Sequence, residues 1–241
     1  TGINGWEFSV EGYYKDMRNV LEYKDGVSFF GSSSGWENKV EIGKGRSAGI
    51  EFMAQKTAGK TTGWLSSTLS KSDRKFTKGG INNGEWFPYK YDRRHSINLT
   101  INHKFSDRID IGASWVFYTG GTSTIPEEKT TVIRPHNGAN NGFLWYGTYD
   151  NTNSSPTIGD VSYIEHRNNF RLPASHRLNL GVNFNKKTKH GMRTWNISLY
   201  NAYNAMNPAW VYRAYNYDGK AVIKKYTLLP CIPSFTYTYK F

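Results

Sequence analysis

Few residues in this sequence have the types and spacing that enzymes use. Gly43-Lys44-Gly45-Arg46 could cradle a phosphate, but the segment lacks the full P-loop spacing and the helix that should follow it. Asp92-Arg93-Arg94-His95 places an acid beside basic side chains, a pattern more typical of an ion-pair cluster at a rim than of a catalytic site. No Gly-x-Ser-x-Gly nucleophile elbow and no glycosidase-type carboxylate pair stands out. We therefore predict that the chain is not an enzyme.

Potential metal ligands are equally sparse. The six histidines show no metal-ligand spacing such as His-x-x-x-His with a nearby acid. A single cysteine, Cys231, provides neither an intrachain disulfide nor a cysteine-based zinc site. The sequence predicts no metal site and no cofactor.

The best candidates for ligand contact are aromatic side chains in the long polar segments. Ligand sites commonly combine such aromatics with a few polar groups. Packing of each loop against itself is the alternative explanation. The candidate residues are Trp36, Trp86, Phe87, Trp145, Tyr146 and Tyr149.

The elements that would position these residues are β-strands, because apolar and polar residues alternate along the whole chain and helical periodicity is scarce. This pattern predicts an all-β protein with about eight strands. The facing of one strand, 61–71, stays open because Leu65 and Trp64 point to opposite faces. The predicted strands are 5–15, 46–57, 61–71, 94–105, 108–119, 176–186, 193–203 and 232–241.

The last ten residues show the alternation most clearly. Phe235, Tyr237, Tyr239 and Phe241 form a fully aromatic face, whereas the opposite face carries only Ser, Thr and Lys. A final strand that ends in Phe resembles the C-terminal signal of bacterial outer-membrane β-barrels, which their assembly machinery reads. An ordinary amphipathic edge strand is the alternative.

Composition narrows the class further. Hydrophobic residues make up only 37% of the chain and the mean hydropathy is -0.66, yet aromatics reach 16%. Aromatic girdles and long polar loops give a membrane barrel this combination. The sequence has no window of ~18 consecutive apolar residues, so it predicts no membrane-spanning helix. The net charge of +12 comes from cations scattered over turns and loops, so we predict no nucleic-acid partner.

The connections between predicted strands alternate between long and short. The longest, at about 120–170, exceeds the usual length of a structureless loop, which favours a functional role. Outer-membrane barrels place short turns on the periplasmic rim and long loops outside. The pattern therefore predicts an antiparallel transmembrane β-barrel with both ends at the periplasmic rim.

A set of segments resembles the C-terminal half of a TonB-dependent outer-membrane transporter, of the kind abundant in Bacteroidetes. The segments occur in the same order as in that family. Each segment is modest alone, and the set spans the chain. The segments are Glu11–Met17, Gly43–Arg46 with Gly49–Glu51, Tyr91–His95, Tyr118–Thr122 with Ile125-Pro126, Arg167–Pro173 with His176–Leu178, Tyr200–Asn204 with Asn207-Pro208, and the terminal strand.

This resemblance implies that residues 1–241 are the C-terminal part of a barrel of about 22 strands, without its plug domain. It implies location in a Gram-negative outer membrane and nutrient uptake coupled to TonB through the plug. The implied partners are membrane lipid, the remaining strands and plug, the barrel-assembly machinery and a surface lipoprotein. The transported ligand does not follow from these motifs.

Two other interpretations fit the residues. One is a complete eight-stranded outer-membrane barrel that acts as an adhesin or anchor. Side chains would have to fill the interior of such a barrel. The other is a secreted β-sandwich that binds glycans. Pairing between strands 5–15 and 232–241 would favour the small barrel over the segment.

Overall fold

A computed structural model of the chain describes residues 5–24, 35–77, 81–134 and 157–241. The chain is all-β as predicted, and two short 3-10 helices, Trp36–Lys39 and Ile81–Gly84, lie in its connections. No helix in the described part of the chain has the length and apolar character needed to span a bilayer. The strands are β1 (Trp6–Tyr23), β2 (Val40–Lys56), β3 (Thr61–Lys75), β4 (Phe87–Pro88), β5 (His95–Lys104), β6 (Ile109–Tyr118), β7 (Thr122–Ser123), β8 (Glu128–Arg134), β9 (Thr157–Tyr163), β10 (Phe170–Arg171), β11 (Ser175–Thr188), β12 (Gly191–Tyr200), β13 (Pro208–Tyr215), β14 (Ala221–Thr227) and β15 (Ile232–Lys240).

Eight long strands form one antiparallel sheet in the order β1-β2-β3-β5-β6-β11-β12-β15. They correspond to the eight strands predicted from the sequence, so that prediction is confirmed. The short strands serve the connections: β4 pairs with β3, and the pairs β7–β10, β8–β9 and β13–β14 form separate two-stranded sheets.

The first two strands are longer than the sequence predicts. β1 continues to Tyr23, which lies opposite Val40 at the start of β2. The register shifts between Arg18 and Val20, where Asn19 has a φ of 58°. An inserted residue of this kind is a β-bulge, which breaks the alternation without ending the strand. The expected end of the first strand at residue 15 is therefore wrong.

The sheet is open at both sides. β1 and β15 are its two edge strands, they do not pair with each other, and no other described strand pairs with the outer edge of either. This agrees with the expectation that neither strand closes a barrel within this chain. The closed transmembrane barrel stays a prediction.

One face of the sheet is apolar across its strands. Register places Leu65 of β3 between Ala54 of β2 and Leu99 of β5, which settles the facing of β3. Many side chains on this face are exposed, including Leu180 at 37% and Ile197 at 48%. The apolar face is therefore largely uncovered by the described residues.

The opposite face carries polar side chains that bond to one another across strands. The Asp110 carboxylate on β6 accepts hydrogen bonds from the amides of Asn183 (2.7 Å) and Asn185 (2.6 Å) on β11. Asn185 in turn accepts from Thr194 on β12 at 2.7 Å, and Asn196 donates to Asn183 at 2.7 Å. These bonds satisfy polar groups that an apolar core could not accommodate.

The two ends of the sheet differ in their connections. Residues 57–60, 105–108 and 189–190 form short turns at one end, which we call the turn end. The described parts of the connections 24–39, 76–94, 119–174 and 201–231 lie at the other end, which we call the loop end. The long and short connections alternate as expected from the sequence. As a result, the short turns lie at one end of the sheet and the long connections lie at the other.

The only cluster of buried apolar side chains in the described residues lies at the loop end. Phe76, Ile81 and Phe87 are each at most 2% exposed, and Val20 of β1 packs against them. Gly43 makes room for this cluster, since a Cβ there would lie 2.4 Å from the Phe76 ring. The cluster fastens the second long connection to β1 and β2.

Candidate functional site at the loop end

The candidate site begins with a buried carboxylate. Asp92 is 1% exposed and lies just before β5. Its carboxylate accepts from the Ser72 backbone N–H at 2.7 Å and from the guanidinium groups of Arg94 (2.8 Å) and Arg171 (2.5 Å). The sequence pattern indicated a rim ion-pair cluster with the adjacent arginines. The structure forms such a cluster, but its second arginine is Arg171, from a different connection, and Arg93 points elsewhere.

Arg171 joins two long connections. Its Nη1 donates to the backbone oxygens of Asp92 (2.7 Å) and Gly120 (2.9 Å). Nearby, the Thr122 hydroxyl donates to the Tyr89 carbonyl at 2.9 Å, and the Asn168 amide donates to the Pro88 carbonyl at 2.7 Å. The described parts of connections 76–94 and 119–174 therefore form one hydrogen-bonded unit above the sheet.

Arg167 ties this unit to the loop end of β1. Its guanidinium donates to the Tyr23 carbonyl at 2.8 Å and pairs with the Glu22 carboxylate at 3.3 Å. Glu41 lies opposite Glu22 in the β1–β2 register and is 6% exposed, and neither of its carboxylate oxygens has a hydrogen-bond partner. A buried acceptor without a partner destabilises a fold.

A cleft of about 340 Å³ opens between these connections and the β13–β14 hairpin. Arg93 lies at its wall with its guanidinium carbon 3.9 Å from the centre of the Tyr118 ring. Trp210 stacks on Tyr226 at 4.3 Å within the hairpin, and Arg213 donates to the Glu127 carbonyl, which holds the hairpin in place. We call this cleft the loop-end cleft, and its principal lining residues are Lys90, Tyr91, Arg93, Tyr118, Leu172 and Trp210.

The cleft has the composition of a recognition site. Aromatic rings provide flat apolar surface, and the cations can bind acidic or polar groups of a ligand. The described residues contain no cluster of three or more potential metal-ligating side chains. The aromatic rings and cations of the cleft are suited to binding.

The three predicted ligand-contact aromatics that the structure describes do not line this cleft. Trp36 is 60% exposed on the short helix before β2. Trp86 stacks on the Arg46 guanidinium at 4.3 Å, and Phe87 is buried in the apolar cluster, as the self-packing explanation expects. The three other candidates lie outside the described residues, namely Trp145, Tyr146 and Tyr149.

Sequence reasoning did not identify the cleft residues, although a signal for them existed. Arg93, Tyr118 and Leu172 each lie in a segment that carries the transporter resemblance. Those segments are far apart in sequence, yet the structure brings them together around one cleft. Ordered motifs that fall on loop ends could have indicated a shared site.

The terminal strand places its aromatic side chains on the apolar face at the β15 edge. Trp195 on β12 stacks with Phe235 at 5.0 Å and contacts Tyr237 at 4.4 Å between ring centres. Tyr239 is 40% exposed and Phe241 is fully exposed. Recognition of these four aromatics by an assembly machinery stays a prediction.

No family model and no curated protein matches this chain.

Proposed function

We propose that this chain is the C-terminal barrel segment of a TonB-dependent outer-membrane transporter, providing wall, lumen surface and external loops for nutrient uptake. The observation that carries the proposal is the height of the apolar band on the sheet. On β11, four apolar residues from Leu178 to Phe184 lie between His176 and Lys186 on the same face. The ten positions from His176 to Lys186, at ~3.4 Å each, give an upper limit of about 34 Å for the band along the strand. A strand tilt of about 40° reduces this to about 26 Å, close to the ~25 Å apolar band of outer-membrane barrels.

The polar face supports a wet interior. The Asp110–Asn183–Asn196 network lies on the face opposite the apolar band. A barrel lumen holds such groups in contact with water, whereas a lipid-facing surface would leave them without solvent. The two faces therefore match the two sides of a large barrel wall.

The open edges favour a segment over a complete small barrel. An edge strand in lipid exposes unpaired backbone groups, which the bilayer does not tolerate. Since β1 and β15 do not pair with each other, further strands would complete the wall. A secreted glycan-binding sandwich is less well supported, because no second described sheet covers the apolar face.

In this proposal the loop-end cleft faces outward and contacts the nutrient, and a surface lipoprotein could deliver it there. The plug and remaining strands come from outside residues 1–241. TonB acts through the plug, so this segment itself performs no covalent chemistry.

The test uses the protein as its source cell produces it. We expect it in the outer-membrane fraction, in a form whose gel migration shifts on heating and whose mass exceeds that of residues 1–241. Recovery in the soluble fraction would favour the sandwich. A heat-modifiable protein of only this length would favour the small barrel.

A further inference from the structure

A second concave site lies on the apolar face at the turn end. It is a groove of about 320 Å³ that crosses strands β1, β2, β3 and β5. Two rows of paired residues form it, and its principal lining residues are Trp6, Ala54, Lys56, Gly63, Leu65 and Leu99. This turn-end groove is separate from the loop-end cleft.

Small residues create the depression. In the first row, Gly63 lies between Lys56 and Ile101 and contributes no side chain. In the second row, Ala54 lies between Phe8 and Leu65. Larger neighbours flank both small residues, so the groove runs between apolar walls. Nearly all of its lining is apolar, which suits a hydrocarbon chain rather than a polar ligand.

A cation lies in the groove where it meets the turn end. Lys56 is half-buried in the lining, with its ammonium 5.7 Å from the centre of the Trp6 ring. Lys60 lies in the 57–60 turn at the same end, whereas Lys104, opposite Asp110, lies on the polar face. The acids nearest this end have other positions: Glu7 lies on the polar face, Asp107 lies in the 105–108 turn, and Asp110 is bonded to Asn183 and Asn185.

We propose that the turn-end groove binds an anionic phospholipid, with one acyl chain between Trp6 and Leu99 and the head-group phosphate at Lys56. The inference rests on the proposed membrane location. An acyl chain fills an apolar depression without any hydrogen bond, and lysine ammonium groups at a membrane surface attract anionic head groups. A tryptophan beside the lysine is typical of the membrane–water boundary. Charge complementarity therefore selects an anionic lipid over a zwitterionic one.

The experiment measures lipid binding to the intact protein, purified from its cell in detergent, by native mass spectrometry. The probes are dioleoyl phosphatidylglycerol and dioleoyl phosphatidylcholine, which share acyl chains and differ in charge. Lys56→Gln should weaken phosphatidylglycerol binding about fivefold and leave phosphatidylcholine nearly unchanged. Its control is Lys186→Gln, which removes an exposed lysine from the same face and end but outside the groove.

A second pair of variants tests the acyl-chain site. Ala54→Leu fills the groove and should weaken binding of both lipids several-fold. Ala48→Leu is the control, because it makes the same change on the same strand and face outside the groove. The inference is supported if only the groove variants change binding. It is overturned if Lys56→Gln keeps the wild-type lipid preference, if Ala54→Leu binds both lipids like Ala48→Leu, or if the wild type does not prefer phosphatidylglycerol.

These outcomes separate the inference from the proposed function. A membrane protein with an unaltered lipid preference in Lys56→Gln overturns the lipid site alone. A protein that never enters the membrane fraction overturns the transporter proposal and the lipid site together.

Discussion

Placing an arginine at Leu180 tests whether the apolar face meets lipid. Leu180 lies on β11, opposite Ala113 on β6 and Leu199 on β12. The apolar residues on this face of β11 are bracketed by the polar residues His176 and Lys186. The midpoint of the apolar band therefore falls at residue 181. Leu180 is therefore within one residue of the expected bilayer midplane.

The structure gives the size of the expected effect. An arginine at the midplane of an outer-membrane barrel costs ~2–4 kcal/mol of folding free energy. Since ~1.4 kcal/mol corresponds to a tenfold change in an equilibrium constant, this cost lowers the folding equilibrium constant by a factor of roughly 30 to 700. The cost arises because the guanidinium loses water in the hydrocarbon, where it finds no acceptor.

A matched variant separates depth in the membrane from simple burial. Ile109 lies on the same face, opposite Phe184, and is 37% exposed, as is Leu180. It lies about 8 Å from the midplane after the correction for strand tilt. Ile109→Arg should therefore cost clearly less than Leu180→Arg, approaching the ~0–1 kcal/mol typical of the interface.

The assay is reversible urea unfolding of each variant in phospholipid vesicles, followed by tryptophan fluorescence. Ser198→Arg serves as the polar-face control, because Ser198 lies between Gly181 and Ser234, where an arginine has room and water. We expect this control to change stability by less than ~0.5 kcal/mol. Equal costs for Leu180→Arg and Ile109→Arg would refute the lipid-facing assignment, as would a neutral Leu180→Arg.

Three further predictions concern the loop end and the topology. Asp92→Asn should destabilise the fold by about 2 kcal/mol, which is below the range for a fully buried ion pair because Arg94 and Arg171 are about one-third exposed. The variant should also increase proteolysis in connections 76–94 and 119–174. Unchanged cleavage would contradict the role of Asp92 in linking these connections. Glu41→Met should stabilise by about 1–3 kcal/mol in denaturant titration, since it removes a buried carboxylate without hydrogen-bond partners, whereas Glu51→Met on the exposed part of β2 should not; a loss of stability would show that Glu41 has a favourable role. A tag near Asn151, outside the described residues, should be labelled on intact cells. A tag at Gly59, in a short turn, should be labelled only after the outer membrane is permeabilised. The reverse pattern would show that the topology is inverted.

Much of the sheet follows from local sequence. The alternation of Ile97, Leu99 and Ile101 with polar residues predicts a strand with one apolar face wherever it occurs. Turn residues such as those at 57–60 and 105–108 predict tight reversals between neighbouring strands. Both kinds of signal act over a few residues, so the order of the eight strands and the sorting of their connections were predictable.

The ends of the strands were less predictable because pairing partners decide them. The bulge at Asn19 breaks the alternation of β1, yet the strand continues because Val40 and Glu41 remain available for pairing. Leu65 and Trp64 compete for the apolar face of β3 within the sequence alone. The register against Ala54 and Leu99 settles that competition, since a shift of one residue would reverse every side chain.

The sites were decided by tertiary structure. Arg171 reaches Asp92 across 79 positions of sequence, and Tyr118 and Trp210 border one cleft although neither segment indicates the other. Phe87 has the character of an exposed loop aromatic in the sequence, but Phe76 and Ile81 bury it. The alternation of the sequence determined which residues could share a face of a strand. Only the folded sheet determined which strands lie side by side, and hence which small residues open a groove and which charges meet.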